Sequence, residues 1–259
     1  MKSHRISFRS TGITGITLII LTTCACFSTS EKKASSAQEL LNQGIKEVKL
    51  NSSTQAKAAF QQVIEDFPDS KQRVKALLLL GRTYYSDTEY EEAKFHFQKF
   101  LDLYPMHKQA DRAQFFKAMS DFKMIDIASR DQTHTQEALE NFNKLIDRFP
   151  KSQFLKDARK KAKECELKLA QNILEIGKFY YRTGSYQSAI NRLKNLINKY
   201  PHQNYLEEAI FLIAESYYHE QNFSQASISY RKLLKNYPKT KFRQEVRNRL
   251  KALQKKLTL

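Results

Sequence analysis

The sequence is poor in the residues that interrupt regular secondary structure. In 259 residues it has only 6 glycines and 5 prolines, and it has no tryptophan. A β-sandwich or a doubly wound α/β sheet needs many turns, and turns depend on these two residue types. With 41% hydrophobic and 27% charged residues the composition is otherwise that of an ordinary globular protein, which argues against disorder. The composition therefore predicts an all-α protein.

Cysteine is scarce as well. There are 3 cysteines, and two of them lie within the first 26 residues. They cannot form a disulfide framework, so the body must be held together by the burial of apolar side chains. The remaining one, Cys165, is interpreted as an incidental small residue rather than a nucleophile.

The sequence also lacks the motifs of an enzyme. It contains no phosphate-binding glycine run and no serine or cysteine nucleophile motif. Its histidines include no pair at metal-ligand spacing: His4, His96, His107, His134, His202 and His219. We therefore expect no catalytic residue, no metal site and no cofactor.

Negative charge is in short supply. The formal net charge is +17, and residues 239–259 carry eight Lys or Arg against the single Glu245. An anionic partner is indicated, which could be nucleic acid, an anionic membrane surface or an acidic protein face. Charge alone does not choose among the three.

The N-terminus has the layout of an export signal. Three cations, Lys2, Arg5 and Arg9, precede an uncharged stretch over Ser10–Ser30 whose centre is rich in Ile and Leu. A membrane-spanning helix needs about 20 apolar residues, and this centre is shorter and diluted by Thr and Gly. We expect a cleaved signal peptide over residues 1–25.

The two early cysteines suggest a bacterial lipoprotein signal, in which the cysteine after the cleavage site is lipidated. Cys26 is preferred because the small Ala25 precedes it, and Cys24 is the alternative. An ordinary secretory signal with two incidental cysteines is also open. Ser, Thr, Glu and Lys dominate Ser28–Ser36 and predict a flexible tether over 26–36 between the anchor and the folded body.

The five prolines mark the ends of repeated sequence units. Each one follows an aromatic residue, and the position twelve residues before each is alanine: Ala56, Ala93, Ala138, Ala189 and Ala226. Bulky residues stand eight, five and four positions before each proline, on the same face of a helix. This face predicts a helix that ends at the proline, which has no N–H and disfavours helical geometry in the residue before it.

A second helix precedes each of these. Twenty-four residues before the proline stand Gly44, Gly81, Gly177 and Ala214, and small residues there let two helices approach closely. The pattern resembles the tetratricopeptide repeat (TPR), a helix-turn-helix unit of about 34 residues that stacks into a right-handed superhelix. We therefore predict a TPR superhelix, an α-solenoid, of five helix-turn-helix repeats plus a C-terminal capping helix.

The predicted helices follow from this register. The spacings between prolines are 37, 45, 51 and 37 residues, so the middle units carry insertions: a loop near Ile127 to His134, and a long helix over Leu155 to Thr183. The first helices are predicted at 37–50, 73–87, 108–127, 155–183 and 206–221. Their partners are predicted at 54–67, 89–104, 135–149, 186–200 and 223–237, with the cap at 241–257.

Two segments resemble a particular family. They are SRDQTHTQEALENFNKLIDRFPKSQFLKDARKK from Ser129 and KFYYRTGSYQSAINRLKNLINKYP from Lys178. With five repeats and a lipoprotein-like signal, the chain resembles the BamD family, the outer-membrane lipoproteins of the β-barrel assembly machinery. The resemblance implies a lipid-anchored scaffold on the periplasmic face of the outer membrane. Its partners would be the barrel-inserting subunit, unfolded outer-membrane proteins and, through the acylated cysteine, lipid.

The resemblance also implies site residues. Arg130, Asp131 and Gln132 would form a partner-contacting elbow, although they could instead tie the loop to its own flanking helices. Arg192 would lie where the barrel-inserting subunit docks, although it could be an ordinary solvated charge.

The first helices of the N-terminal half would receive the aromatic C-terminal segment of an unfolded client. The candidates are Arg82, Tyr85, Phe115 and Phe116, with Phe122 nearby, and Arg82 could pair with a terminal carboxylate. Aromatic residues at TPR spacing also serve as core, and we expect Tyr84 in particular to be buried.

These inferences divide the chain into a client-binding half over 37–128 and a partner-docking half over 129–259. The alternative function is that of another exported TPR adaptor, for example one that coordinates envelope constriction or peptidoglycan synthesis. Nucleic acid is disfavoured as a partner because of the export signal.

Overall fold

A computed structural model of the chain describes residues 36–125, 131–201 and 205–257. The predicted signal peptide, nearly all of the tether, Cys24, Cys26 and Arg130 lie outside these ranges. The described part forms eleven helices: α1 (Ala37–Lys49), α2 (Ser53–Asp66), α3 (Lys71–Ser86), α4 (Tyr90–Leu103), α5 (Ala110–Lys123), α6 (Thr133–Arg148), α7 (Leu155–Arg182), α8 (Tyr186–Lys199), α9 (Leu206–His219), α10 (Phe223–Asn236) and α11 (Arg243–Leu257).

The helices stack in pairs in chain order. Each helix packs on the next one, and the first helices of successive pairs also pack on one another: α1 on α3, α3 on α5, α5 on α7 and α7 on α9. Among the described residues, the second helices of successive pairs make no comparable contact. One row of helices is therefore continuous while the other is spread apart, which is the geometry of a TPR solenoid. The predicted fold class is confirmed.

The repeat positions read from the sequence form the core. The five alanines twelve residues before the prolines are all 0% exposed. Where the first helix carries glycine, the bulky residue eight before the proline fills the space that a side chain would need. A Cβ built on Gly44 would lie 2.5 Å from Cε1 of Phe60, and one on Gly177 would overlap Leu193. The small residues are thus required by direct contact between paired helices.

The turn inside each pair has a common backbone form. Asn51, Thr88 and Gln221 have φ values of 57, 64 and 60°, and Gly184 has a φ of 77°. Each lies two residues before its second helix, in units one, two, four and five. A left-handed residue at this point reverses the chain in a short turn. The third unit has an insertion at this position instead.

Helix bounds agree with the prediction to within about two residues at most ends, and one end differs more. The first helix of unit three was predicted to reach residue 127, but α5 ends at Lys123. Its partner α6 begins at Thr133, so His134 is helical rather than part of the inserted loop. The predicted long helix is confirmed as α7, with 28 residues. No helix among the described residues is both long and apolar enough to cross a membrane.

The capping helix α11 is held by an apolar face and a buried polar network. Val246 and Leu253 are 0% exposed, and the Phe242 ring stacks on Phe211 with centroids 4.0 Å apart. Arg249 donates from Nε and Nη2 to the two carboxylate oxygens of Glu215, at 3.0 and 2.7 Å. The hydroxyl of Tyr230 donates to the same carboxylate. Helices α9, α10 and α11 are therefore joined at one buried acid.

Candidate functional site

The predicted client residues of α3 and α5 come together. The Tyr85 and Phe116 rings meet edge to face with centroids 5.3 Å apart, and the Arg82 guanidinium lies 5.9 Å from the centroid of the Phe116 ring. Arg82 is exposed, and the two rings are half-buried. The row of first helices thus presents an aromatic surface with a cation beside it. This arrangement can hold an aromatic side chain together with a carboxylate.

Phe115 packs mainly against residues of the third and fourth units. Its ring stacks on Phe154 with centroids 4.6 Å apart and also contacts Phe142. It packs against the hydrophobic cluster of α5, α6 and α7. Phe115 therefore joins the third unit to the fourth, and because its ring also meets the Phe116 ring with centroids 5.6 Å apart, it is in contact with the group of Arg82, Tyr85 and Phe116.

The prediction that Tyr84 is buried is wrong. Its side chain is half-buried, and its ring stacks on the His96 imidazole with centroids 5.1 Å apart and planes 7° from parallel. The Lys57 ammonium lies 4.6 Å from the ring centroid. Tyr84 and Tyr217 occupy the same position in units two and five, and only Tyr217 is buried. In unit two a histidine and a lysine lie against the ring, which stays partly exposed.

His96 makes the stability of this region depend on pH. Burial lowers its pKa from 6.5 to about 4. As pH falls below about 6.5 the unfolded state takes up the proton first, so the stability that neutral His96 contributes is lost between about pH 6.5 and pH 4. We expect urea unfolding to show a lower free energy of unfolding at pH 5 than at pH 7, with a smaller decline in His96→Gln. The control His219→Gln, at an exposed position, should keep the full decline, and an equal decline in both variants would contradict the assignment.

A charged network links unit two to unit three beside the inserted loop. Lys94 of α4 lies 2.7 Å from the Asp121 carboxylate and 2.6 Å from that of Glu137. Asp121 is 0% exposed and also accepts a hydrogen bond from Asn141 Nδ2 at 2.8 Å. Burial raises the pKa of Asp121, whereas the hydrogen bond from Lys94 lowers the pKa of Glu137.

Sequence reasoning missed this network and the cluster of metal-ligand types that it contains. Oxygen or nitrogen atoms of Asp121, His134 and Glu137 lie within 4.8 Å of one another, a group that could hold a metal ion. The Lys94 ammonium already lies between the two carboxylates and supplies a positive charge there. A signal was present in the sequence: Lys57 and Lys94 both follow the repeat alanine by one residue. In the structure each reaches into the next unit, Lys57 to Asp87 and Lys94 to Asp121.

The described part of the predicted elbow makes local contacts. Asp131 is exposed, and its Oδ1 accepts from the backbone N and the hydroxyl of Thr133 at 2.9 and 2.6 Å. These bonds lower the pKa of Asp131. Gln132 is half-buried at the N-terminal end of α6. Asp131 thus fastens the end of the loop to α6 in the manner of an Asx-turn.

Arg192 lies on the outer side of α8. It is exposed, and in the described part of the chain it pairs with no carboxylate. Two residues on, Lys194 donates to the Tyr217 hydroxyl at 2.7 Å. Lys194 also lines a cleft of about 240 Å³ between α8, α9 and α10, together with Ile197, Ile210 and Lys232. The two lysines at this cleft suit an acidic protein partner.

A second cleft lies at the turns that join units two, three and four. It has a volume of about 420 Å³ and is lined by both aromatic-proline turns, by Met106 and by three cations, Lys108, Arg148 and Lys151. Met106 is 91% exposed. Asp111 accepts from Ser152 Oγ at 2.7 Å and so closes the cleft on one side. The sequence offered no signal for this cleft beyond the prolines themselves.

Comparison with known proteins identifies the family. The model of the YfiO family, described as outer membrane lipoproteins, matches residues 33–226. The chain belongs to this family. A relative from Neisseria gonorrhoeae, named outer membrane protein assembly factor BamD, is 26% identical over 239 residues, which are 86% of this chain and 90% of the relative. A protein of the same name from Caulobacter vibrioides is 30% identical over 158 residues, 61% of this chain and about half (52%) of that protein.

Solved structures of other TPR proteins also resemble the chain. The TPR2AB domain of yeast Sti1, in its pHSP90 complex, is 15% identical, covers 85% of this chain and 84% of that one, and has a TM-score of 0.45. A thermophilic TPR protein from Thermus thermophilus is 18% identical, covers 86% of this chain and 100% of that one, and has a TM-score of 0.37.

Proposed function

We propose that this protein is the lipid-anchored TPR scaffold of the β-barrel assembly machinery, where it binds the barrel-inserting subunit and unfolded outer-membrane proteins. The observation that carries the proposal is the family match over residues 33–226, joined to relatives that are named outer membrane protein assembly factors. The scaffold role agrees with a solenoid whose continuous row of first helices offers a long binding surface. Affinity purification from membranes, with identification of co-purifying barrel proteins, is the direct test.

The role is non-catalytic in this proposal. Cys165 is 0% exposed, and burial raises the pKa of its thiol to about 12, so the thiolate that a nucleophile requires does not form at neutral pH. The cations around Asp121 and Glu215 join helices to one another. Both observations suit a protein that works by binding.

The anchor is tested by labelling. If Cys26 is the acylated residue, a tagged fatty acid fed to cells should mark the wild-type protein, and Cys26→Ala should abolish the mark because the acceptor thiol is gone. Cys24→Ala is the control and should keep the label. Label that persists in Cys26→Ala and disappears in Cys24→Ala would move the cleavage site to Cys24. The absence of label from the wild-type chain would remove the anchor from the proposal.

The two ends of the solenoid have separate tasks in this proposal. The half over 37–128 holds client segments on Arg82, Tyr85 and Phe116, whose mutual contacts support a site for an aromatic residue with a terminal carboxylate. The half over 129–259 docks the barrel-inserting subunit through Arg192 and the elbow of Arg130, Asp131 and Gln132. The exposure of Arg192, which pairs with no carboxylate in the described part of the chain, supports this side of the assignment.

A reciprocal pair of variants tests the division. Arg82→Gln should weaken binding of a client peptide that ends in phenylalanine by roughly tenfold to 100-fold, because it removes a charge-assisted hydrogen bond. Arg192→Glu should weaken binding of the barrel-inserting subunit by up to a few kcal/mol if the ion pair between Arg192 and an acidic group of that subunit is desolvated. Arg82→Gln should bind the barrel-inserting subunit as wild type does, and Arg192→Glu should bind the client peptide as wild type does. Isothermal titration calorimetry or surface plasmon resonance measures both affinities.

Two controls sharpen this test. The same peptide with an amidated C-terminus lacks the carboxylate, so Arg82→Gln should not weaken it further. Lys75→Glu reverses an exposed charge on α3, in the other half of the chain from Arg192. It should not change the affinity for the barrel-inserting subunit. Normal partner binding by Arg192→Glu, or client cross-links at Tyr180 and Tyr217 instead of the first units, would contradict the division.

A further inference from the structure

The positive charge of the folded body is concentrated at its C-terminal end. Residues 37–104, the first two units, carry nine Lys or Arg and ten Asp or Glu. Residues 221–259 carry eleven Lys or Arg and one acid, Glu245. One end of the solenoid is thus close to neutral, whereas α10, α11 and the turn between them are strongly cationic.

Most of these cations are on the surface and are not used to hold helices together. Arg249 is the member of the group that is drawn inward, to Glu215. The side chains that are exposed are Arg231, Lys232, Lys235, Lys239, Lys241, Arg243, Arg247, Lys251 and Lys255. Among the described residues, Lys235, Arg247 and Lys251 have no carboxylate within ion-pair distance.

The cations of α11 follow a regular row. Arg243, Arg247 and Lys251 are spaced four residues apart, so successive side chains stand one above another on the helix surface. The core side of the same helix is formed by Val246 and Leu253. Glu245 lies one residue before Val246 and two before Arg247, on the flank away from the row.

The chemistry of this surface favours a membrane over a protein as its ligand. The centre of a protein interface is depleted in charged residues and enriched in aromatic ones. Here the exposed residues of α11 are Arg, Lys, Gln and Asn apart from Glu245 and Ala252, and Ile228 on α10 is the one large apolar side chain exposed within the described part of 221–257. Clustered Lys and Arg without apolar anchors match the diffuse negative charge of phospholipid headgroups.

We propose that the exposed cations of α10, α11 and the turn between them form a contact surface for anionic phospholipid headgroups. This inference rests on the proposed lipid anchor, which would keep the body near a bilayer and so raise the effective concentration of headgroups at this surface. The tether over 26–36 reaches at most about 40 Å when fully extended. Each cation near an anionic surface contributes about 1 kcal/mol, so this contact gives the solenoid a preferred orientation on the membrane.

The test uses the compact unit that begins at Ser35, because it contains every described helix and the whole core. Its binding to vesicles of phosphatidylglycerol and phosphatidylethanolamine is measured by co-sedimentation, with vesicles of phosphatidylcholine alone as the reference. We expect binding to the anionic vesicles that falls steeply with salt. The triple variant Lys235→Gln, Arg247→Gln, Lys251→Gln should bind them on the order of tenfold to 100-fold more weakly.

The matched control removes three exposed cations elsewhere, with Lys156→Gln, Arg159→Gln and Lys163→Gln on α7. It should bind nearly as wild type does, and thermal unfolding should show both triple variants folded. Equal losses in the two variants would mean that only the net charge matters and would overturn the proposal. Failure of the wild type to bind anionic vesicles would also overturn it. So would an α10 and α11 triple variant that loses binding to the barrel-inserting subunit but still binds anionic vesicles as wild type does.

The full-length lipidated chain gives a second readout. In vesicles that contain phosphatidylglycerol, tryptic cleavage after Arg247 and Lys251 should be slower than in phosphatidylcholine vesicles, because headgroups cover these side chains. Cleavage after Arg159 should proceed at the same rate in both. Equal rates after Lys251 in the two lipids would overturn the proposal.

Discussion

Replacing Arg249 with methionine is expected to lower the free energy of unfolding of the C-terminal units by about 3–5 kcal/mol. Glu215 is 2% exposed and receives two hydrogen bonds from Arg249. The variant removes the positive charge but leaves the carboxylate buried, and the single hydroxyl of Tyr230 does not compensate for it. Urea unfolding followed by circular dichroism measures the loss, and hydrogen exchange locates it in α9 to α11.

The control for this prediction is Arg247→Met, which changes an exposed arginine of the same helix in the same way. It should alter stability by no more than about 0.5 kcal/mol. The double variant Arg249→Met, Glu215→Leu should recover part of the loss, because the buried charge is then removed with its partner. Similar stability for the two single variants would show that the Glu215 network does not hold the cap.

The second large effect is expected for Ala189→Leu. Ala189 is 0% exposed in α8, where the second helix of unit four packs on α7. Overpacking of a filled core typically costs about 1–3 kcal/mol, because side chains must leave their preferred rotamers and helices must move apart. The expected result is a lowered melting temperature in thermal unfolding.

Ser188→Leu is the matched control, since it adds a leucine at the neighbouring exposed position of the same helix. It should leave the melting temperature nearly unchanged. If Ala189→Leu melts together with wild type, the repeat register that assigns alanine to the helix contact is wrong.

The second helices could be predicted from the sequence because each of them ends on a local signal. An aromatic-proline pair terminates every second helix, and the alanine column and the small residues of the first helices set the distance between partners. These are short-range rules of backbone geometry and side-chain size. They failed at the end of α5, because the insertion of the third unit breaks the fixed spacing between its first and second helices.

The candidate client site was predictable in composition but not in arrangement. Phe115 and Phe116 are neighbours in sequence and both contact Phe154, yet Phe115 packs on Phe142 while Phe116 meets Tyr85 and Arg82. Adjacent residues of a helix point in directions about 100° apart, and which direction meets the next unit depends on how the units are rotated on one another. Tyr84 was misjudged for the same reason, because His96 and Lys57 come from other helices.

By itself, the sequence determined the all-α class, the five helix pairs and the cap, because proline, alanine and glycine act within one helix or between two adjacent ones. It also carried the segments that place the chain among the outer membrane lipoproteins. The tertiary structure decided which charges are structural and which are available. Lys94 and Arg249 are drawn to the buried carboxylates of Asp121 and Glu215, whereas Arg82, Arg192 and Lys251 are exposed. This distinction depends on contacts between residues about 30 positions apart, whose separation in space is set by the stacking of whole units and not by local propensity.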